Sequence, residues 1–403
     1  MRRILWVSMM APYDGVTHAS GKIHNFYLKR LCAEKEVDVT VVTLCKEDEI
    51  NKLDFEKYGI KNYVSVRKRK GIQGYIWRGI AWLSKLNIWN EYAGLTPCDI
   101  SKGIMKKVNE LSASNYNPDI VILDWTEVLF LFPRIESLFP KAKIVAIEED
   151  VSFLGQQRKA EFSKNILKKK FFETKYQRVK KLEMKYLDQC QLVILNNRKD
   201  YKLLLDNGYK NKNLWIWAPF FQSYLTKEAN CGSHNIVFYG AMFREENWRS
   251  AVWFIENVMP KLKREDIRFV VIGGAPNKRL FKYNDKRIEI RGFVDDISKE
   301  LSTAMCLVAP LVLGAGIKIK VLEAFSCGIP VLTNGIGIEG IPAQDKVDYF
   351  YCEKPDDYVE VINGLLDGEY DIKTIEKNAK AVIKNNFNFN KDAEEFVTKV
   401  LEI

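Results

Sequence analysis

The densest set of residues able to do chemistry lies between Ala309 and Ile341, a segment that reads APLVLGAGIKIKVLEAFSCGIPVLTNGIGIEGI. A strand is expected to end at Ala309–Pro310. A glycine-containing loop follows at Gly314, Ala315 and Gly316, and Lys318 to Ser326 reads as a helix that Gly328 stops. The helix amino terminus then falls just after the glycines, where free backbone N–H groups and the positive end of the helix dipole favour a phosphate. Gly316 allows close approach of the backbone. Lys318 and Lys320 add positive charge at a helix start, where they oppose the dipole unless an anion faces them. Glu323 lies on the same helix. A carboxylate that accepts two vicinal hydroxyls is a common way to hold a ribose or a sugar. The following run, Gly335-Ile336-Gly337-Ile338-Glu339-Gly340, fits a Gly-x-Gly-x-x-Gly dinucleotide pattern. That pattern needs a helix opening within it, and Pro342-Ala343-Gln344-Asp345 carries no helical period, so no nicotinamide or flavin site is expected. Glu339, at the end of this loop, is a candidate for facing a sugar.

Such loops need elements to hold them. Short β-branched runs alternate with helix-length stretches along the whole chain. Strands are expected at 3–9, 37–44, 63–66, 119–124, 143–148, 192–196 and 214–217, and again at 235–240, 267–274, 288–292, 306–310, 330–334 and 348–351. Amphipathic stretches such as Lys22 to Ala33 and Ile100 to Leu111 lie between them. This alternation indicates βαβ units and parallel sheets. Two sets, each long enough for its own sheet, predict an α/β protein of two doubly wound Rossmann-like domains. The pattern restarts near Ala218–Pro219, which puts the domains at 1–218 and 219–390, with 391–403 a terminal helix able to pack back on the first. Ligands of doubly wound sheets bind beyond the carboxyl ends of the strands. The loops to inspect are therefore 10–21, 124–127, 148–155, 240–249, 273–279, 292–297, 310–320 and 334–342, which two facing domains would gather into a cleft. The length of 403 residues suits two or three domains. With 47% hydrophobic and 28% charged residues the chain is not mainly disordered. No apolar run approaches the ~18 residues of a membrane helix, and MRRILWVSMMAPYDG reads as a first strand and not a signal peptide. The eight cysteines (Cys32, Cys45, Cys98, Cys190, Cys231, Cys306, Cys327 and Cys352) form no C-x-x-C pair. That spacing fits a reducing cytosol and argues against a zinc site.

The Ala309–Ile341 segment resembles the C-terminal signature of family-4 glycosyltransferases, retaining enzymes of the GT-B fold. It is similar to the branch that reads glycine-alanine-glycine-isoleucine-x-x-lysine-valine-leucine-glutamate-alanine. The likeness extends in order over nearly the whole chain: HASGKIHNFYLKRL resembles the first loop and helix, and LVILNNRKDYKLL the end of the first domain. FYGAMFREENWRSAVWFIENVMPKLK resembles the entry to the second domain, with FVVIGGAP and RGFVDDI its next strand-loop elements. The resemblance implies that Glu323 binds the donor ribose, and that Gly273, Gly274, Val294 and Asp295 read the base. Ala315, Gly316, Ile317, Lys318 and Lys320 would meet the donor diphosphate and sugar. A second glutamate eight positions before Glu323 is common in the family, and here Ala315 stands there. An arginine after the second domain's first strand is also common, and here Ala241 follows Gly240, leaving Lys318 and Lys320 as substitutes, with Arg244 or Arg249 as secondary candidates. Many members place a histidine after the fifth strand, and here that position is Glu149, beside Asp150. Glu149, Asp150 and His18 of the first loop are the catalytic candidates, and Gly21 and Lys22 are candidates for an acceptor or phosphate loop. The other reading of Glu149 and Asp150 is a salt bridge to the basic stretch that follows them.

The resemblance implies transfer of a hexose-type sugar from a nucleotide-diphosphate sugar to a lipid-linked or saccharide acceptor in cell-surface polysaccharide synthesis, with no cofactor and no essential metal. Retention without an obvious nucleophile implies same-face attack, with Glu149 a rival as base or nucleophile. A sugar-nucleotide epimerase on the same fold would need more cleft histidines than His18, His24 and His234 supply. A nucleic-acid-binding module would want a stacking platform or recognition helix, and neither is present. The net charge of +10 is uneven: residues 1–219 carry +13 and 220–403 carry −3. Residues 61–90 carry +7 with no acidic side chain, and 156–185 carry +8. Lys and Arg interleaved with Tyr75, Trp77, Trp82 and Trp89 suit an anionic membrane surface. Residues 156–185 read as one long basic helix with Phe162, Ile166, Val179, Leu182 and Tyr186 at near-helical spacing. A peripheral place on the inner face of the plasma membrane is the expectation.

Overall fold

The computed structural model describes residues 1–16, 18–67, 71–226 and 233–403. Lys68, Arg69 and Lys70 of the basic segment, and Cys231, lie outside the described residues. The chain divides into two units, Met1–Phe220 with Phe389–Ile403, and Phe221–Asn388.

Unit 1 is built on strands β1 (Arg2–Ser8), β2 (Val37–Lys46), β3 (Lys61–Arg67), β4 (Ile120–Asp124), β5 (Lys143–Glu148), β6 (Leu192–Leu195) and β7 (Leu214–Ile216). They form one sheet in the order β3-β2-β1-β4-β5-β6-β7, with every pairing parallel. Its helices are α1 (Ala19–Cys32), α2 (Gly71–Leu86), α3 (Cys98–Ala113), α4 (Thr126–Leu129), α5 (Phe132–Leu138), α6 (Ser152–Phe162), α7 (Ile166–Gln189) and α8 (Arg198–Asp206). Unit 2 contains β8 (Asn235–Tyr239), β9 (Arg268–Ile272), β10 (Ile288–Gly292), β11 (Cys306–Ala309), β12 (Val331–Thr333) and β13 (Phe350–Tyr351). Its sheet order is β10-β9-β8-β11-β12-β13, again parallel throughout. Helices α9 (Glu245–Asn257), α10 (Ile297–Thr303), α11 (Ile319–Cys327), α12 (Pro355–Asp367) and α13 (Ile372–Asn386) belong to it, and α14 (Phe389–Glu402) belongs to unit 1.

The strands form where the β-branched runs predict them, because a sheet covered on both faces needs near-continuous apolar strands. All five residues of β4 are buried, and Val7, Val42, Val121, Ala146 and Val193 lie in one cluster with Ile104, Val108 and Leu187 from the covering helices. Local chemistry sets the helix ends. The His18 ring accepts from the Gly21 N–H at 2.9 Å and caps α1, and Gly328 ends α11 at φ +84°. On α14, Phe396 packs its ring 5.2 Å from Tyr27, 5.3 Å from Trp217 and 6.3 Å from Trp6.

One expectation is corrected. Residues 156–185 are two helices, because Ser163 is extended and Asn165 starts a new helix by accepting from the Lys168 N–H at 3.0 Å. The apolar stripe divides as well: Val179 and Tyr186 are buried and Leu182 packs against the core, whereas Phe162 and Ile166 are exposed.

Candidate functional site

In each sheet the strand order reverses direction at one place, where ligands of doubly wound proteins bind. In unit 2 that place is between β8 and β11, and the element following β11 is the glycine loop and α11. Gly314 and Gly316 take positive φ (+130° and +70°). Lys318 is the extended residue before the helix. Its ammonium group donates to the carbonyl of Ala315 at 3.1 Å and to that of Gly316, with Glu339 Oε2 3.9 Å away. Lys320 Nζ donates to Asn247 Oδ1 at 2.8 Å and lies 4.5 Å from the Phe238 ring centre. Asn247 in turn donates to the Ala241 carbonyl at 3.1 Å, so the start of α11 is tied to the loop after β8. Burial pushes the Lys320 ammonium down to about 7. Glu323 is buried, and its Oε2 accepts from the Tyr239 hydroxyl at 2.5 Å. Tyr239 stays protonated, because burial and the Glu323 charge raise it well above its ordinary range.

Gly273 follows β9 where only glycine fits. A Cβ there would lie 1.7 Å from the Gly240 carbonyl oxygen, so the loops after β8 and β9 approach backbone to backbone. Gly274 comes next, with Phe293 exposed near it. Val294 is half-buried and Asp295 exposed in the loop after β10, and Ile317 is half-buried in the loop before α11. These candidates all lie beyond carboxyl ends of the unit 2 strands. Residues 335–349 contain no helix, so the glycine run there is a turn structure.

In unit 1 the reversal lies between β1 and β4. A histidine that sequence reading passed over is the centre of this end of the sheet. His24, on the buried face of α1 with Ile23, Tyr27, Leu28 and Leu31, has Nδ1 2.6 Å from Asp124 Oδ1 at the end of β4. Its Nε2 is 2.5 Å from Glu149 Oε1, just beyond β5. Burial alone would lower its pKa, but the charges and hydrogen bonds of Asp124 and Glu149 outweigh burial and raise it to about 10. His24 is therefore an imidazolium at neutral pH, hydrogen-bonded to Glu149 through Nε2 and ion-paired with Asp124 through Nδ1. Trp6 Nε1 donates to the other Asp124 oxygen at 2.7 Å, and Ser20 Oγ donates to Glu149 Oε2 at 2.6 Å. In this linear array Asp124 and His24 are buried and the Glu149 side chain is 17% exposed. Trp125, directly after Asp124, holds the strained φ of +95°, with its ring 5.8 Å from His24 and 6.1 Å from His18. Strain of this kind persists where the surroundings over-determine it. The signal available in sequence was a lone imidazole on the apolar face of the first helix.

His18 is placed as the cap of α1. Gly21 is packed so tightly that a Cβ would come 2.6 Å from the His18 ring. Lys22 is half-buried on the same turn. The Asp150 carbonyl accepts from Thr126 Oγ1 at 3.2 Å. Behind this row Glu183, on α7, accepts from the Ser152 and Phe153 N–H groups at 2.7 and 2.9 Å. Burial pushes Glu183 up to about 8, and burial with the neighbouring Glu183 charge pushes Glu148 well above the carboxylate range.

Residues 233–368, within unit 2, match the family described as Glycosyl transferases group 1. A Klebsiella pneumoniae relative, described as an uncharacterized 44.6 kDa protein in cps region, is 24% identical over 204 residues, 45% of this chain and 50% of that protein. The match thus spans about half the relative's length. Among solved structures, Anabaena HepE in complex with UDP and glucose superposes with a TM-score of 0.70 at 12% identity, covering 100% of both chains. Sucrose-phosphate synthase from Thermosynechococcus elongatus gives 0.70 at 13% identity, covering 100% of this chain and 99% of that one. A point mutant of S. aureus TarM, in complex with fondaparinux, alpha-GlcNAc-glycerol and UDP, gives 0.66 at 11% identity, covering 99% and 100%. At these identities the likeness shows the fold, two doubly wound units of the GT-B type.

Proposed function

We propose that this protein is a retaining glycosyltransferase that takes a hexose-type sugar from a nucleoside-diphosphate sugar. The observation that carries the reading is the start of α11 at the strand-order reversal of unit 2. There a helix amino terminus carries two lysines and a buried carboxylate, with Lys320 tied through Asn247 to the loop after β8 and Glu323 bonded to Tyr239 at the end of β8. In this reading the diphosphate lies over the α11 amino terminus, and Glu323 accepts hydroxyls of the ribose. The match of residues 233–368 to Glycosyl transferases group 1 supports it. The UDP bound in the Anabaena and S. aureus structures makes UDP-sugars the first donors to try. The cps-region relative supports polysaccharide assembly as the setting, with a lipid-linked or saccharide acceptor.

The chemistry assigned here balances without a cofactor. The acceptor hydroxyl oxygen forms a bond to the anomeric carbon on the face the diphosphate leaves. The bond from that carbon to the phosphate oxygen breaks, and the hydroxyl proton passes to the departing phosphate. Developing charge on the leaving group is met by Lys320, Lys318 and the α11 N–H groups, preorganised donors that need no rearrangement. Glu149 is assigned the acceptor side. With both oxygens accepting, from Ser20 and from His24, it is held in one orientation. A thermal-shift panel of nucleoside diphosphates and their sugars tests the donor assignment, since stabilisation follows ligand affinity. Release of free nucleoside diphosphate only when acceptor is present separates transfer from epimerisation. Stabilisation by none of the panel contradicts the reading.

A further inference from the structure

Helix α2 is the most exposed apolar surface among the described residues. At 100° per residue, Trp82, Tyr75, Leu86, Ile72, Leu83, Ile76 and Ile80 fall on one continuous arc broken only by Gly79. All seven side chains are exposed, from 41% at Ile80 to 80% at Ile72. Soluble proteins rarely leave an apolar stripe of this extent uncovered. The opposite side of the helix is fastened to the unit: Gly74 is buried, and Lys102 of α3 lies 5.8 Å from the Trp77 ring centre.

The charges beside the arc identify what covers it. Arg78 and Lys85 flank it on α2, and no acidic side chain occurs anywhere in residues 61–90. Trp89, 70% exposed, continues the aromatic content past the helix. The α6–α7 junction and the start of α7 repeat the chemistry in miniature. Ile166 and Leu167 are exposed beside Lys164, Lys168, Lys169 and Lys170, all of them exposed too. No described helix is long and apolar enough to cross a membrane. An exposed apolar arc with cations at its edge and Trp and Tyr among its residues is the composition of a helix lying in a bilayer interface. Aromatic rings settle at headgroup depth there, and Lys and Arg meet anionic lipid. A second copy of this chain would oppose like charge to like charge at the same patch.

We propose that unit 1 docks on an anionic bilayer through the α2 arc, with the Lys-rich start of α7 as a second, electrostatic point of attachment. This assignment is independent of the proposed chemistry. The test is co-sedimentation of the full chain with vesicles of phosphatidylcholine alone and of phosphatidylcholine mixed with phosphatidylglycerol, at low and high salt. Binding is expected to the mixed vesicles only and to weaken with salt. Ile76→Glu/Leu83→Glu is expected to lower binding at least tenfold. Lys168→Glu/Lys169→Glu is expected to lower it roughly fivefold for each cation removed. All four positions are exposed, so melting temperature stays at the wild-type value. Should the α2 variant fail to fold, Trp82→Gln and the lysine variant decide the matter. Equal binding to both vesicle types, binding to neither, or variants that bind like wild type overturns the proposal. So does light scattering that shows a dimer which Ile76→Glu/Leu83→Glu converts to monomer, because the arc is then covered by a second copy.

Discussion

Glu323 and Lys320 stand one turn apart on α11, and each has a partner that makes its role testable. Glu323→Gln keeps the side-chain volume and an oxygen to accept from Tyr239, while removing the charge that would hold ribose hydroxyls. It is expected to weaken nucleoside-diphosphate binding tenfold or more with little change in melting temperature, measured by calorimetry and thermal denaturation. His24 is a residue of another kind. Its removal leaves Asp124 buried against Trp6 without its cation, and breaking a buried pair by removing one partner costs about 3–5 kcal/mol. Because the folded His24 pKa, about 10, is raised above the ordinary 6.5, its contribution to stability is complete below about pH 6.5 and is lost as pH rises through about 10. Glu183, raised to about 8, acts in the same direction at lower pH. Wild-type melting temperature is therefore expected to fall between pH 7 and 10, and His24→Asn to show a flatter profile from a lower start. Equal slopes for the two proteins contradict this role of the array.

At the scale of elements, the strands were the most legible part of the chain. A parallel strand buried on both faces must be a β-branched run, and runs such as DIVILD and KIVAIE admit little else. The break between α6 and α7 was not legible, because Lys164 and Asn165 continue a basic, helix-compatible pattern. The break depends on the Asn165 side chain capping the next helix. The α11 motif was readable as a contiguous stretch. The Asp124–His24–Glu149 array was not, since its members come from three elements that only the sheet order brings together. Two glycine substitutions separate these ideas. Gly273→Ala puts a Cβ 1.7 Å from the Gly240 carbonyl oxygen and is expected to lower both melting temperature and nucleotide affinity. Gly155→Ala, on α6 with nothing within 4 Å of the new Cβ, is expected to raise stability by about 0.5–1 kcal/mol through helix propensity.

At the scale of the whole molecule, the uneven charge follows the structural division. Residues 389–403, net −2, belong with unit 1, which gives unit 1 a charge of +11 and unit 2 a charge of −1. The positive excess is thus a property of unit 1 as a surface. In unit 2, by contrast, the proposed phosphate recognition rests on a few placed cations. Lys320 makes that distinction measurable. Burial holds it near 7 without ligand, and a diphosphate beside it favours the charged form. If the proposed donor site is right, nucleotide binding is expected to be linked to proton uptake, with affinity falling as pH rises above about 7.

The most direct test is calorimetric titration of the wild-type protein with UDP at pH 7.5, in two buffers of different ionisation enthalpy, alongside Glu323→Gln and Lys320→Met. UDP is expected to bind wild type with uptake of a proton. Lys320→Met is expected to abolish the buffer dependence, and both variants to lose affinity by tenfold or more. Affinity for UDP that both substitutions leave unchanged would contradict the donor site at α11.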